Sequence, residues 1–369
     1  MDIYICNTAY QVIVSIQMSL TLEKESKPVL IITDVVKNAE TISKYFNTTE
    51  KFKKALFAKT KDLDWKERNW FIPSKKKEYE LFIRKLLGAE LEQELDEGNN
   101  RVFVANLSGF PIVFAKYLFK RSKAAELDIF EDGLSSYSHI YESGINYRLC
   151  NKNLFKRIQY KLIPSILSKT SNYYLFYPDL LVWKPPFRVK QIPSISRDDD
   201  VLKTILNGAF KYDLLQDTYS EKAIFFEESY IEDGIEVNDV ATVNTLLQIF
   251  GPENVLIKRH PRVKANRFSD SVVKFNIDTA VPWEIILLNK DMTGKYLVTM
   301  TSTAVINSLL LIDSGATAVF DYVNLENNAI DRIQYSIEII KKLEHMLPNR
   351  IMKIDEIRTI SDDRRSEID

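Results

Sequence analysis

The chain has 369 residues, which is too long for a typical single core, so its length predicts two domains. Hydrophobic residues make up 45% of it and charged residues 27%, as is ordinary for a soluble globular protein. Lysine and arginine number 50 against 51 aspartates and glutamates, so the formal net charge is −1. This balance provides no overall attraction to nucleic acid or to membranes, and we expect no nucleic-acid partner.

The two cysteines, Cys6 and Cys150, suit a reducing compartment and fit no zinc-site spacing. No signal peptide opens the sequence, and no apolar run reaches the ~20 residues that span a bilayer. We therefore expect a cytoplasmic protein whose contact with the inner face of the membrane, if it has one, is peripheral.

The first half of the sequence alternates between strand-like and helix-like segments. Apolar runs that predict buried strands lie at residues 1–6, 28–34, 101–107 and 127–133. Helical spacing of apolar residues occurs at 7–20 and 78–95. Strands that alternate with helices are typical of a parallel α/β sheet.

The alternation stops at residues 183–200, where prolines, serines and a run of acids predict a linker. It then resumes with strand-like runs at 222–229, 254–261, 296–300 and 316–322 and a helical stretch at 239–251. We therefore predict an α/β protein of two Rossmann-like domains. The predicted boundaries are 1–200 and 201–350, followed by a charged tail at 351–369.

The stretch "IFEDGLSSY" places Glu131, Asp132 and Gly133 directly after a predicted buried strand. A turn would explain Asp-Gly, since glycine adopts the positive φ that turns require. A catalytic base at the strand end would explain it equally well, and these three residues alone do not distinguish the two. Ligands of parallel sheets bind beyond the carboxyl ends of the strands, so Asn7 and Thr8, after the first strand, belong to the same candidate edge.

In the second half, His260 follows a predicted strand and is one of only three histidines. Pro261 disfavours the helical region for the residue before it, so the imidazole should project from an extended strand end. Lys258 and Arg259 precede it, and a bound phosphate there would raise its pKa. A surface turn beside basic residues is the alternative.

Ser302 and Thr303 follow a later strand and precede an apolar helix. A hydroxyl there can cap the helix, whose free N–H groups would bind an anion; capping without a ligand is the alternative. Glu284 opens another apolar segment and could accept hydrogen bonds from ribose hydroxyls, or could be an ordinary acid of a first helical turn. No glycine-rich phosphate loop is present, which argues against classical dinucleotide and P-loop sites. Asp62 and Asp64 form a DxD pattern in a charged stretch, and we predict no metal site.

The acid-acid-Gly triplet, the His-Pro pair and the Ser/Thr pair, in this order, resemble the motifs of the bacterial sialyltransferases. "CNTAYQ" at residues 6–11 is similar to the "TPxQ" stretch of glycosyltransferase family 52, with Ala9 in place of the usual proline. The resemblance implies the GT-B fold, in which two Rossmann-like domains face a cleft. Residues 1–200 would form the acceptor side and residues 201–350 would bind the donor.

The resemblance further implies an inverting, metal-independent transfer of sialic acid from CMP-sialic acid to a bacterial surface glycan such as lipooligosaccharide or capsule. It implies no cofactor besides this donor. Asp132 would be the general base, and His260 would donate to the phosphate of the departing CMP. Ser302 and Thr303 would bind that phosphate, and Glu284 would recognise the ribose or the cytosine.

The remaining members of the implied site are those on the donor side, Lys258, Arg259 and Pro261, and those on the acceptor side, Asn7, Thr8, Glu131 and Gly133. Glu227, Glu228 and Asp239, in the second domain, are rivals for the role of base. A hexosyltransferase that uses another nucleotide sugar, or a non-catalytic glycan- or nucleotide-binding module, remains an alternative function.

Residues 151–169 carry five basic residues and no acid, and their apolar residues recur at helical spacing. Such a helix could lie on an anionic bilayer, or it could pack on its own domain with a solvated basic face. A homodimer is also compatible with the sequence.

Overall fold

The computed structural model describes residues 1–22, 26–105, 107–139, 166–260, 262–263, 266–268, 273–326, 330–357 and 359. The chain forms two compact units. The first comprises Met1–Pro193 and Asp200–Ala209, and the second comprises Ser194–Asp199 and Phe210–Asp369.

The first unit is built on a seven-stranded sheet whose neighbouring strands are all parallel. Its strands are β1 (Asp2–Cys6), β2 (Val29–Thr33), β3 (Lys54–Ala58), β4 (Arg101–Val104), β5 (Glu126–Phe130), β6 (Thr170–Leu175) and β7 (Arg188–Gln191). They lie in the order β3-β2-β1-β4-β5-β6-β7. Every residue of β1 and β2 is buried, because helices cover both faces of a parallel sheet.

The helices of this unit are α1 (Ala9–Thr21), α2 (Ala39–Phe46), α3 (Pro73–Glu97), α4 (Phe110–Arg121) and α5 (Asp200–Phe210). Thr8 caps α1, its Oγ1 accepting a hydrogen bond from the backbone N–H of Gln11. Within α3, Gly88 has φ 77° and breaks the helical geometry, which a residue with a Cβ would adopt only at a cost. The strand order reverses between β1 and β4, so the ends of β1, β4 and β5 form the crevice where such sheets bind ligands.

The second unit holds a six-stranded sheet in the order β10-β9-β8-β11-β12-β13, again with parallel neighbours. Its strands are β8 (Ala223–Phe226), β9 (Val255–Lys258), β10 (Lys274–Phe275), β11 (Tyr296–Thr299), β12 (Thr317–Phe320) and β13 (Ile351–Lys353). Its helices are α6 (Asp239–Phe250), α7 (Trp283–Asn289), α8 (Thr303–Asn307) and α9 (Asp331–Met346). Here the strand order reverses between β8 and β11.

Short 3₁₀ helices complete the two units at Glu67–Phe71, Ser135–Tyr137, Ile166–Lys169, Pro178–Leu180, Tyr212–Leu214, Pro252–Asn254 and Val323–Leu325. Within the described ranges, no helix is both long enough and apolar enough to cross a membrane. Of the predicted basic helix at 151–169, residues 151–165 lie outside the described residues.

The two units do not divide at the predicted boundary of residue 200, because the chain passes between them three times. Ser194–Asp199 belongs to the second unit, where the N–H of Ile195 donates to the carbonyl of Leu311 (3.1 Å), whereas Asp200–Ala209 returns to the first. The predicted linker also contains β7, which pairs with β6 and is therefore part of the first sheet.

The predicted tail at 351–369 is also wrong over its first residues. Ile351 lies in β13, which pairs with β12, and Ile354 and Ile357 are buried in the second core. These three apolar side chains, spaced three apart, outweigh the charges between them. Residues 360–369 lie outside the described residues.

Candidate functional site

The acid pair lies at the carboxyl end of β5, two strands away from the end of β1 in the first sheet. Gly133 has φ 73°, so the chain does turn there in a conformation that favours glycine. The backbone N–H of Asp132 donates to Oγ of Ser136 (2.7 Å), which fixes the turn. The turn is therefore present and leaves two carboxylates at the ligand-binding edge.

Glu131 is buried, with 4% of its surface exposed, and both its oxygens are occupied. Oε1 accepts a hydrogen bond from the Tyr10 hydroxyl (2.5 Å), and Oε2 accepts from the backbone N–H of Phe176 (2.9 Å) and from the Tyr137 hydroxyl. Burial nevertheless raises the pKa of Glu131 to about 7, because these bonds offset only part of the lost hydration. Glu131 therefore holds the loop in place.

Asp132 is half-buried and is held differently. Its Oδ1 accepts a hydrogen bond from Nε2 of Gln11 (2.6 Å), while Oδ2 has no hydrogen-bond partner among the described residues. Burial raises its pKa, and the Gln11 bond works in the opposite direction by favouring the ionised form. One oxygen of Asp132 is thus available to accept a proton.

Asn7 and Thr8 take part in shaping the same edge of the sheet. The N–H of Asn7 donates to Oε1 of Gln11 (2.6 Å), and Oδ1 of Asn7 accepts from the hydroxyl of Thr33 (3.0 Å). The Thr8 hydroxyl caps α1 by accepting from the N–H of Gln11 (3.1 Å). The structure thus brings Asn7, Thr8 and Asp132 together through Gln11, to which the sequence analysis gave no role.

The raised pKa of Glu131 makes stability depend on pH. Between its ordinary value of 4.5 and about 7, the folded protein keeps a proton on Glu131 that the unfolded chain has lost. The free energy of unfolding contributed by this group therefore falls as the pH rises through that window. We expect Glu131→Gln to remove this dependence, so that the variant gains stability relative to wild type between about pH 5 and about pH 8.

Chemical denaturation at the two pH values measures this gain. Glu90→Gln, a matched change at an exposed position of α3, should show no such difference. A stability difference between wild type and Glu131→Gln that is equal at both pH values would contradict the prediction.

His260 lies just beyond Arg259, the residue that follows β9 in the second unit. Its Nδ1 accepts a hydrogen bond from the backbone N–H of Arg262 (3.2 Å), so the neutral ring carries its proton on Nε2. Burial, and then the charge of Arg262, lower the pKa of His260. Pro261 lies outside the described residues. The ring therefore presents a fixed N–H donor at a strand end.

Two cations precede His260. The ammonium of Lys258 lies over the rings of Trp283 (5.7 Å) and Tyr219 (6.0 Å), and burial lowers its pKa. Arg259 lies 3.6 Å from Oε2 of Glu227 and is held in part by this carboxylate.

The Ser302 hydroxyl caps α8 by accepting from the N–H of Ala304 (3.3 Å), and Thr303 is the first residue of that five-residue helix. Glu284 is buried in the first turn of α7, where its Oε1 accepts from Nδ2 of Asn307 (2.8 Å). Burial raises the pKa of Glu284. Ser302 therefore caps the helix. Because its oxygen accepts this hydrogen bond, its hydroxyl proton remains available to a ligand.

The rival carboxylates of the second unit are engaged within it. Glu228 accepts from the hydroxyl of Thr299 (2.8 Å) and from the N–H (2.6 Å) and hydroxyl (3.2 Å) of Thr301. Glu227 and Asp239 share one cation, Arg267, at 3.2 Å and 2.7 Å. Glu228 thus joins the end of β8 to the end of β11, and Arg267 joins Glu227 to Asp239. Among the described residues, Oε2 of Glu227 and Oδ1 of Asp239 accept no hydrogen bond.

Four residues that hold the acids escaped the sequence reasoning: Tyr10, Gln11, Tyr137 and Arg267. Gln11 stands in the "CNTAYQ" stretch and three residues after a helix cap, which is a signal that could have pointed to it. Tyr10 stands in the same stretch and Tyr137 ends the stretch "IFEDGLSSY", but neither was given a role. No local pattern marks Arg267, because it meets Glu227 and Asp239 through the fold. Among the described residues, no group of three or more His, Cys, Asp or Glu side chains could hold a metal ion.

A model of the alpha-2,8-polysialyltransferase family matches residues 2–319 of the chain. No curated protein matches it. Among solved structures, the chain is similar to an alpha/beta-galactoside alpha-2,3-sialyltransferase from the luminous marine bacterium Photobacterium phosphoreum. The two share 13% identity and a TM-score of 0.54, over 96% of this chain and 98% of that one.

The chain is also similar to the UDP-GlcNAc 2-epimerase of Neisseria meningitidis, solved with UDP-GlcNAc bound. This pair shares 12% identity and a TM-score of 0.45, over 100% of this chain and 99% of that one. The likeness to the Photobacterium protein concerns the fold, and it confirms the predicted α/β class with two Rossmann-like domains, as in GT-B glycosyltransferases.

Proposed function

The chain belongs to the alpha-2,8-polysialyltransferase family, and from this premise we propose that it transfers sialic acid from CMP-sialic acid to a hydroxyl group of a bacterial surface glycan, inverting the anomeric centre. Membership confirms the resemblance to sialyltransferases and makes the protein a glycosyltransferase. The donor, the stereochemistry and the acceptor are the proposal. The observation that carries it is Asp132, a carboxylate with one oxygen without a partner among the described residues at the ligand-binding edge of a Rossmann-like sheet.

In the proposed reaction, Oδ2 of Asp132 takes the proton of the acceptor hydroxyl as its oxygen attacks the anomeric carbon of the donor. The bond from that carbon to the CMP phosphate oxygen breaks in the same displacement, which inverts the configuration. General-base assistance of this kind is worth about 10²- to 10⁴-fold in rate. Glu131 is not the base in this scheme, because both its oxygens accept hydrogen bonds from the protein and neither is left for the acceptor hydroxyl.

The departing phosphate gains negative charge, and we assign its stabilisation to the second unit. Nε2–H of His260 is the donor, since Nδ1 is already occupied by the N–H of Arg262. The Ser302 hydroxyl proton and the Thr303 hydroxyl supply further donors, and Lys258 supplies positive charge. Glu284 would accept from a ribose hydroxyl or from the cytosine amine. No cofactor takes part in this scheme.

A donor panel tests the proposal. Purified protein is incubated with CMP-sialic acid or with UDP-hexoses, in the presence of glycans that end in galactose or in sialic acid, with and without EDTA. We expect CMP release from CMP-sialic acid alone, undiminished by EDTA, and a product whose anomeric configuration by NMR is inverted. The family's name favours a sialic acid terminus as the acceptor.

The other outcomes of this panel discriminate between the alternatives. UDP release from a UDP-hexose without CMP release would show a hexosyltransferase. Donor binding without release of either nucleotide would show a binding module.

A further inference from the structure

Two consecutive residues of α1 contact the two consecutive acids at the end of β5. The Tyr10 hydroxyl donates to Glu131 (2.5 Å), and Nε2 of Gln11 donates to Asp132 (2.6 Å). The first turn of α1 thus holds both carboxylates, each by one hydrogen bond, although the pairs are 121 residues apart. The two contacts differ in consequence, since Glu131 has further donors and Asp132 does not.

The Gln11 side chain is itself fixed by burial and by hydrogen bonds. It is 1% exposed, and its Oε1 accepts from the backbone N–H of Asn7 (2.6 Å). Because the oxygen must face that N–H, the amide cannot flip, and its NH₂ group must face the carboxylate. The backbone N–H of Gln11 is fixed as well, by the cap of Thr8 (3.1 Å). The donor aimed at Asp132 therefore has one orientation.

Asp132 has no other stabilising partner for its charge in the part of the chain that the structure describes. No lysine, arginine or histidine forms an ion pair with it there. The titratable groups that face it are Glu131, whose charge is of the same sign, and Cys6, a neutral thiol because burial raises its pKa to about 12. The Gln11 amide is thus the group that favours the ionised carboxylate.

We infer that Gln11 is the positioning residue of the general base: it fixes Oδ1 of Asp132 and keeps the carboxylate ready to take the acceptor proton through Oδ2. This inference rests on the proposed function, in which Asp132 is the base. Gln11 acts through Asp132 and needs no contact with substrate.

The test is Gln11→Glu, which keeps an oxygen for the N–H of Asn7 and replaces the donor to Asp132 by an acceptor. A hydrogen bond to a charged group is typically worth about tenfold to a hundredfold in an equilibrium or a rate. We expect kcat at neutral pH to fall by about this factor, while the KM for CMP-sialic acid changes less than about twofold. The acid limb of the pH profile of kcat/KM should move to higher pH, because Asp132 loses its donor and gains a like charge.

Gln17→Glu is the matched control, a buried glutamine of the same helix whose Nε2 donates to the carbonyl of Pro193 (2.9 Å). It should lower the melting temperature and leave both kcat and the acid limb in place. Should Gln11→Glu not fold, Gln11→Met removes the donor without adding charge, and it should shift the acid limb in the same direction.

Asp132→Asn, assayed in parallel, distinguishes a failure of the proposed base from a failure of the role inferred for Gln11. If Asp132→Asn stays active, the proposed base is wrong. If Asp132→Asn is inactive but both Gln11 variants keep the wild-type acid limb, even with a lower kcat, Gln11 has only a structural role and the inference is overturned while the proposed function stands.

Discussion

Asp132→Asn should nearly abolish sialic acid transfer, lowering kcat by about 10²- to 10⁴-fold, while CMP binding stays at the wild-type level. The amide has the shape of the carboxylate but cannot take a proton from the acceptor. Because Gly133 and the bond from the N–H of Asp132 to Ser136 define the turn, the change should leave the backbone as it is. Nucleotide affinity by calorimetry and initial rates with a saturating donor measure the two quantities separately.

Asp128→Asn is the matched control for this variant. Asp128 lies within β5, the strand that precedes Asp132, and is fully buried. Its Oδ1 accepts from the N–H (3.0 Å) and Nδ2 (2.9 Å) of Asn172. We expect its replacement to cost stability and to leave kcat within about threefold of wild type, since it does not face the ligand-binding edge. If Asp132→Asn is active while Glu228→Gln or Asp239→Asn is inactive, the base belongs to the second unit.

The placement of the acid pair could be predicted because it depends on local patterns only. An apolar run predicts a buried strand, alternation predicts parallel pairing, and parallel pairing places Asn7 and Asp132 at one edge of the sheet. The contacts that distinguish the two acids are not local. Glu131 accepts a hydrogen bond from the N–H of Phe176, 45 residues further along the chain, and no spacing in the sequence predicts that contact.

Two of the elements that the sequence analysis missed, β7 and β13, are short and have weak hydrophobic patterning. The strand β7 has the sequence RVKQ and only half-buried or exposed residues, because it is the last strand of its sheet. The strand β13 is three residues long and is followed by charged residues that mask Ile354 and Ile357. Pairing with β6, rather than its own apolar content, determines the structure of β7. The segment that begins with β13 is held both by pairing with β12 and by the burial of its three isoleucines.

In the second unit, the acids after β8 show why residue type alone cannot assign a base. "FFEES" ends a strand just as "IFEDG" does, yet Glu227 is matched by Arg267 and Glu228 by three donors of the Thr299–Thr301 segment. A neighbouring cation, or several hydrogen-bond donors, stabilises the ionised form of a carboxylate and so makes it a weaker proton acceptor. Among the described residues, Asp132 has one such donor, Gln11, and no cation.

His260→Ala should lower kcat by about 10²-fold or more and leave the fold intact. Loss of a positioned donor to a departing phosphate typically lowers the rate by about this factor. The side chain is half-buried, and the one hydrogen bond that it makes to the described residues is accepted from the N–H of Arg262. Its loss should therefore cost little stability. His345→Ala, at an exposed position of α9, is the control and should keep wild-type activity.

The protonation of His260 gives this prediction an independent readout. Burial and the charge of Arg262 hold its pKa below the usual 6.5, so the free enzyme carries a neutral ring at neutral pH, with the proton on Nε2. An anionic phosphate beside Nε2 favours the charged ring and should raise that pKa when CMP binds. Titration of the ring nitrogens by NMR, with and without CMP, should show this rise for His260. Activity of His260→Ala within about threefold of wild type, together with a pKa of His260 that CMP leaves unchanged, would remove this residue from the mechanism and leave Ser302, Thr303 and Lys258 to bind the phosphate.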